Sequence, residues 1–262
     1  MCGTTGCKMK SMVAWFGVIA IMMGLIACQQ QNTTAAPKQV QQPDEHATVI
    51  QAKTIPVTLP QAEICEQNGC TRYDLQTIQT NVVWMNDYFL NRLKKIEPIA
   101  FEKYEGPQLD RDSLAMLGLS QSRSHVQYLG QNEKIATFIL HSYQYSAGAE
   151  HGLSHDEYVN FDLTEKKRIG IKDLLIQGKD RAFVDALYQK HASWLAARQI
   201  YPESLALSDN FYYNSKGLVL VYPVYELGSY ADGMVELTLA YSQLATWIKP
   251  EYLPSLPRYA SE

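Results

Sequence analysis

The sequence has no excess of basic residues, which is the first property that a nucleic-acid-binding domain needs. Its 23 Lys and Arg are outnumbered by 27 Asp and Glu, which gives a formal net charge of −4 at pH 7. Loss of an N-terminal segment that carries Lys8 and Lys10, and no acid, would change that charge from −4 to −6. Nucleic acid is therefore not expected as a partner, and the mild acidity favours a basic one.

Catalytic motifs are also lacking. The sequence contains no nucleophile elbow, no glycine-rich phosphate loop and no catalytic cysteine pattern. Ser154 precedes His155, but neighbours in sequence do not make a catalytic triad, which is defined by geometry in the folded chain. We therefore expect neither enzymatic activity nor a cofactor.

The N-terminus has the pattern of a secretory signal. Lys8 and Lys10 precede an apolar run over residues 12–27, which ends in the small residue Ala27 directly before Cys28. Leu25-Ile26-Ala27-Cys28 matches the bacterial lipobox, so we predict a signal peptide at residues 1–27 and acylation of Cys28, which would attach the chain to membrane lipid. The alternative is an uncleaved anchor helix that happens to end in cysteine.

The residues after Cys28 predict a location in the cell envelope and a flexible tether. Gln29 rather than Asp follows the lipobox, which favours anchoring to the outer membrane with the folded part in the periplasm. The stretch 28–46 has almost no apolar side chains that could offset the entropy of ordering, so we predict a flexible tether there.

Cysteine is scarce in the remainder. Only Cys65 and Cys70 are left after Cys28, an even pair in an oxidising compartment. Asn68-Gly69 between them is a tight-turn signal, so we predict a disulfide that clamps a hairpin. A metal or redox site is the alternative, but no second cysteine pair and no nearby His supports it.

Hydrophobic spacing predicts three helices among several strands. Apolar residues three and four positions apart over 78–96 predict a helix that ends before Pro98. A second helix begins near Asp180 and carries His191 on its buried face, and a short third helix covers 241–248. Alternating segments and turn residues predict strands within 53–59, 124–145, 157–171, 211–222 and 235–239.

These elements predict an α+β fold, with an antiparallel sheet and packed helices. We expect an N-terminal subdomain at 47–122, which holds the hairpin and the first helix, and a C-terminal domain at 123–250. Residues 251–262 are expected to be a C-terminal tail.

An ordered set of motifs runs through the C-terminal half. It comprises residues 146–152, 158–163, 171–175 and 211–218, followed by Tyr225-Glu226, Tyr230-Ala231 and Gly233. Over roughly 135–250 this set resembles the C-terminal domain of the anti-sigma factor RsiV, which also occurs beside the deacetylase domain of the peptidoglycan enzyme PdaC.

The resemblance implies a binding function. RsiV binds lysozyme through its extracytoplasmic part, so lysozyme, or a cell-wall ligand such as peptidoglycan, is the implied partner of an RsiV-like domain. Neither a cytoplasmic sigma-binding segment nor a deacetylase domain is expected from the motifs of this sequence. Ser229 stands where the family often has Pro, and Asn214 where it often has Thr.

The segment 150–157 contains two histidines and three carboxylates. His151 and His155 could bind zinc and serve a metal-dependent peptidoglycan hydrolase, although the glutamate of the zincin motif is missing. The alternative, which we favour, is a loop in which Glu150 and His151 satisfy buried polar groups. No metal is therefore expected, but both residues remain candidates for ligand binding.

The segment 222–233 is the second distinctive stretch, with three tyrosines and two nearby acids. Tyr225, Glu226, Tyr230 and Asp232 are candidates for a surface that recognises a protein or glycan through rigid aromatic rings. The alternative is a structural loop whose tyrosine hydroxyls hold the turn. The sequence therefore predicts a non-catalytic binding protein of the envelope, with a structural assembly factor as a further alternative.

Overall fold

A seven-stranded sheet forms the larger part of the fold. The computed structural model describes residues 49–67, 69–106 and 118–254, all of which belong to one compact unit. The order across this sheet is β1-β3-β4-β5-β6-β7, with β2 beside β1 on the same edge of β3. These strands are β1 (Ala52–Pro56), β2 (Glu63–Glu66), β3 (Gly69–Thr80), β4 (Leu119–Gln131), β5 (Ile135–Tyr145), β6 (Leu153–Asp162) and β7 (Lys167–Ile169).

All neighbouring strands of this sheet are antiparallel except β3 and β4. A parallel pair needs a crossover, and the chain supplies it with helices α1 (Val83–Ile96) and α2 (Pro98–Phe101). The fold is therefore the predicted α+β class, built on a sheet in which antiparallel pairs dominate. The predicted boundary between residues 122 and 123 falls within β4, so hydrogen bonds of one sheet continue across it.

Helix α1 packs on one face of the large sheet. Its buried residues Met85, Phe89 and Leu93 recur at the spacing of one helix face, and they meet an aromatic layer that includes Phe138 and Phe161. The prediction that this helix reaches back to residue 78 is wrong. Ile78 lies in β3, where it is buried against the same helix because strand alternation also turns it inward.

A three-stranded antiparallel sheet and three helices form the C-terminal part. The strands are β8 (Phe211–Tyr213), β9 (Gly217–Tyr222) and β10 (Val235–Ala240), and the helices are α3 (Ile171–Leu174), α4 (Asp180–Ala196) and α5 (Tyr241–Leu244). A second core fills the space between them, with Phe183, Leu187, Phe211 and Leu220 among its fully buried side chains. Helix α5 ends at Leu244, earlier than the predicted 248.

Two asparagines join the C-terminal sheet to the large one. Buried Asn160 on β6 donates a 2.7 Å hydrogen bond to the carbonyl of Phe211 and accepts one from Thr137. Asn210 donates to the carbonyl of Asp156 at 2.8 Å and accepts from the backbone N–H of Tyr158 at 2.7 Å. Each side-chain amide thus both donates and accepts a hydrogen bond, which fixes how β8 meets β6.

The hairpin of β2 and β3 carries a disulfide between Cys65 and Cys70, whose Cα atoms are 4.0 Å apart. The predicted signal peptide (1–27), the acylated Cys28 and the whole of the tether (28–46) lie outside the described residues, as does most of the tail at 251–262. Within the described ranges, no helix is both long and apolar enough to cross a membrane.

Candidate functional site

The connection between β9 and β10 contains four of the six candidate residues. It ends in a 3₁₀ turn, Tyr230–Asp232, that Ser229 and Asp232 cap reciprocally. The Asp232 carboxylate accepts hydrogen bonds from the backbone N–H of Ser229 at 2.8 Å and from its hydroxyl at 2.7 Å. Ser229 thus supplies two donors, its backbone N–H and its hydroxyl, that a proline at this position could not supply.

Asp232 also joins this connection to the end of helix α4. Its carboxylate lies 2.5 Å from Nη2 of Arg198, whose guanidinium stacks on the ring of Trp194 with 3.7 Å to the ring centroid. The Ser229 hydroxyl and Arg198 together lower the pKa of Asp232 to about 2. Asp232 therefore stays ionised and acts as a fixed anchor for Arg198.

A surface cleft of about 550 Å³ opens between α4 and this connection. Arg198 lines it from the end of α4, and Tyr225, Glu226 and Asp232 line it from the connection. Partial burial raises the pKa of the Glu226 carboxyl. The cleft thus offers an ion pair, an acid with raised pKa and an aromatic ring within one concave surface.

Tyr225 and Tyr230 present their rings to solvent. Tyr225 is 61 % exposed and Tyr230 is 40 % exposed, with their ring centroids 6.2 Å apart. The ring of Tyr230 stacks on His151 at 3.8 Å and 20°, and its hydroxyl donates a 2.8 Å hydrogen bond to the carbonyl of Gly152. The structure therefore brings His151 to Tyr225 and Tyr230, although 79 positions separate His151 from Tyr230 in the sequence.

Both interpretations of this segment describe part of it. The hydroxyl of buried Tyr222 donates a 2.9 Å hydrogen bond to the carbonyl of Ala206, as the structural interpretation requires. The rings of Tyr225 and Tyr230 remain exposed beside the cleft, as a recognition surface requires. One tyrosine thus anchors the connection in the core, and the other two face outward.

The interpretation of Glu150 and His151 as partners of buried polar groups is wrong. Both residues are exposed in the turn between β5 and β6, so they satisfy no buried group. His151 instead packs on the Tyr230 ring, and Glu150 lies beside it in the chain. The reason is local: the turn over 146–152 runs over the surface, and β6 begins only at Leu153.

The structure does not support a metal site on His151 and His155. His155 lies within β6 opposite Ser142, whereas His151 lies outside the strand against Tyr230. Across residues 49–67, 69–106 and 118–254, the single group of three metal-ligand side chains at short range is Glu63, Cys65 and Cys70. Both of its sulfur atoms are in the disulfide, which removes them as thiolate ligands.

Sequence reasoning missed Trp194 and Arg198, because their position at the cleft follows from the packing of α4. It also missed a cluster on the large sheet, in which His141 Nδ1 lies 2.6 Å from Asp156 Oδ1 and the rings of His125 and His141 are 4.6 Å apart. The alternation of side chains along each strand could have placed these residues on one face of the sheet. To predict that they are neighbours, the register of the three strands β4, β5 and β6 would also have been needed.

Comparison with known proteins identifies part of the chain. No curated protein sequence matches it. The sequence profile of DUF3298, described as a protein of unknown function, matches residues 172–242.

Two solved DUF3298 proteins share the fold. One from Pseudomonas aeruginosa PAO1 has a TM-score of 0.59 and 18 % identity over 80 % of this chain and 99 % of its own. One from Bacteroides fragilis has a TM-score of 0.59 and 16 % identity over 78 % of this chain and 95 % of its own. The chain therefore has the fold of these proteins and carries a DUF3298 domain at residues 172–242.

Proposed function

We propose that this chain is a lipid-anchored envelope protein that binds a partner protein at the cleft of Tyr225 and Arg198 and catalyses no reaction. The observation that carries the proposal is the pair of exposed tyrosine rings, Tyr225 and Tyr230, whose centroids lie 6.2 Å apart and of which Tyr225 lines that cleft. Tyrosine is enriched at the centres of protein interfaces because it gives a large apolar contact together with a polar end.

The conformations of both tyrosines support recognition. Tyr225 has a φ of 73°, a left-handed conformation that costs a bulky residue about 1–3 kcal/mol and that is common at ligand-binding positions. The stack on His151 and the hydrogen bond to Gly152 hold the Tyr230 ring in place. A partner that meets this preset ring loses less entropy on binding, so more of the contact energy becomes affinity.

The partner that fits best is a basic protein, with lysozyme as the sharpest candidate. The resemblance to RsiV suggests lysozyme, and the net charge of −4, or −6 without residues 1–27, favours its approach. Glu226 offers a carboxylate beside the Tyr225 ring, a pair that suits a lysine or arginine side chain of the partner.

Anchoring is part of the same proposal. Acylation of Cys28 would keep the domain at the membrane, with the outer membrane and a periplasmic domain as the expected location. Growth with labelled palmitate should label the wild-type chain, and Cys28→Ala should abolish the label. A Cys28→Ala chain that still carries the label would refute the anchor.

The binding proposal is tested by calorimetric titration of the purified protein with lysozyme at low salt. Tyr225→Ala and Tyr230→Ala should each weaken association at least about 10-fold, because each removes a buried aromatic contact. Leu129→Ala is the control, since Leu129 is also exposed but lies near the turn between β4 and β5. Absence of association, or equal affinity in all three variants, would overturn the proposal.

A further inference from the structure

Two rows of side chains cross the strands β4, β5 and β6 on one face of the large sheet. The strand register places Arg123 opposite Tyr143 and Tyr143 opposite Ser154. Two residues further along, the second row comprises His125, His141 and Asp156. On β4 the row residues alternate with the buried Ser122, Ser124 and Val126, so the rows face away from the core beneath α1.

The second row is tied together by a short hydrogen bond. His141 Nδ1 lies 2.6 Å from Asp156 Oδ1, and the rings of His125 and His141 face each other at 4.6 Å with a tilt of 34°. A carboxylate only accepts, so in the neutral ring Nδ1 carries the proton and Nε2 keeps its lone pair. His141 therefore offers an oriented acceptor at its outer edge.

The first row supplies a donor and an aromatic wall. The Arg123 guanidinium lies 5.8 Å from the centre of the Tyr143 ring. Both rows line a cavity of about 370 Å³, within the range of small-molecule sites, which is about 300–1,000 Å³. Donors and acceptors thus surround one apolar-walled space.

Tyr143 and His141 lie two residues apart on the same strand, so their side chains project on the same side of the sheet and their Cα atoms are about 6.7 Å apart. The Tyr143 ring lines the cavity and therefore offers a wall against which an apolar face of a ligand can pack.

The geometry of the His125 and His141 rings disfavours a metal ion bound by both of them. A bound metal lies in the plane of each imidazole, about 2.0 Å beyond the nitrogen. The rings of His125 and His141 face each other at 4.6 Å and are tilted by only 34°, so their planes do not meet at that short range. The two rings therefore do not form a shared metal site.

We propose that this cavity, defined by Arg123, His125, His141, Tyr143, Ser154 and Asp156, binds one ring of a neutral pyranose saccharide. The ligand must donate to His141 Nε2 and Asp156 and accept from Arg123, and adjacent hydroxyls of one sugar do both. One C–H face of the sugar packs on the ring of Tyr143. A simple anion supplies no donors, and a simple cation no acceptors.

The test is titration of the ¹⁵N-labelled protein with maltotriose, cellotriose and triacetylchitotriose, followed by amide chemical shifts. At least one trisaccharide should shift amides of the two rows at millimolar concentration. Asp156→Asn, which keeps the side-chain shape, and Tyr143→Ala should each weaken binding about 10-fold or more. His155→Ala is the matched control, because His155 neighbours Asp156 but faces the opposite side of β6.

Several outcomes would overturn the saccharide site. These are no shift with any trisaccharide, equal shifts with open-chain sorbitol, shifts that persist in Asp156→Asn, and binding of benzoate without binding of a sugar. The site is independent of the proposed protein-binding cleft. Tyr225→Ala should leave the saccharide shifts unchanged, and Asp156→Asn should leave lysozyme affinity unchanged.

Discussion

The imidazole of His191 lies against the backbone of Thr238, where a neighbouring strand would otherwise form hydrogen bonds. Its Nε2 lies 3.0 Å from both the backbone nitrogen and the carbonyl oxygen of Thr238 on the edge strand β10. Helix α4 departs from helical geometry at this residue, with φ −115° and ψ 16°. The kink turns the ring to the strand, where one tautomer accepts from the N–H and the other donates to the carbonyl.

His191→Ala should therefore lower the free energy of unfolding by about 1–3 kcal/mol, the cost of leaving a partly buried backbone group without its partner. Urea denaturation of the variant and the wild type measures the change. Lys190→Ala is the control, because Lys190 is the exposed preceding residue. Equal stability of the two variants would contradict this role of His191.

Acid should release the link between Asp232 and Arg198. Hydrogen bonds from the Ser229 hydroxyl and from Arg198 lower the pKa of Asp232 from its usual 3.8 to about 2. The folded carboxyl thus holds its proton less tightly than the unfolded one, and its stabilisation is complete above about pH 5 and is lost as pH falls through 2.

The measurement compares the unfolding free energies of wild type and Asp232→Asn from acid to neutral pH. The wild type should be more stable above pH 4, and the difference should vanish near the folded pKa of about 2. A difference that does not change across this range would show that the carboxylate charge contributes nothing.

The lowered pKa of His125 should decrease the free energy of unfolding in mild acid. Burial, and secondly the neighbouring His141, lower its pKa below the usual 6.5. The unfolded chain therefore binds a proton at this site more readily, and the resulting loss of stability begins as pH falls through 6.5 and stops growing below the folded pKa. His125→Gln should lose less stability than the wild type between pH 7.5 and pH 5.

A proton NMR titration of the histidine rings checks the cause. In the wild type the His125 signal should titrate below pH 6.5, and in His141→Asn its midpoint should rise. His155→Ala, on the other face of β6, should leave that midpoint unchanged. A His125 midpoint at or above 6.5 in the wild type would contradict the prediction.

The disulfide between Cys65 and Cys70 should contribute modestly. It closes a loop with a sequence separation of 5, so the chain-entropy model gives about 2 kcal/mol. The double variant Cys65→Ser/Cys70→Ser should unfold at lower urea concentration by that amount. A reductant should lower the stability of the wild type similarly and leave the variant unaffected. A larger loss would indicate that the hairpin unfolds with the bond.

Local signals in the sequence predicted most of the elements. The strands predicted within 124–145 and 211–222 were confirmed. Each range forms a hairpin, with turns near Gly130 and at Asn214–Gly217, because such residues determine turns within a few positions. Ile78 was assigned to the wrong element because its distance to Val82 and Met85 matches a helix, although the chain changes from strand to helix between them. The parallel pairing of β3 and β4 joins segments far apart in sequence, and no local pattern reports it.

Several residues of the candidate site were predicted from the sequence, but their contacts with one another were not. Tyr225, Tyr230 and Asp232 were identified because aromatic and acidic residues are unusually dense in one connection. The contact of His151 with Tyr230, and the approach of Arg198 to Asp232, depend on how β6 and α4 pack against that connection. Spacing in the sequence carries no information about these tertiary contacts.

The asparagines between the two sheets determine where the chain can be divided. A fragment that starts at residue 172, where the DUF3298 match begins, would lose Asn160 and leave the carbonyl of buried Phe211 without its donor. It would also leave the side chain of Asn210 without the backbone partners that β6 provides. The matched segment is thus a region of sequence similarity whose buried hydrogen bonds depend on residues of β6 that lie outside it.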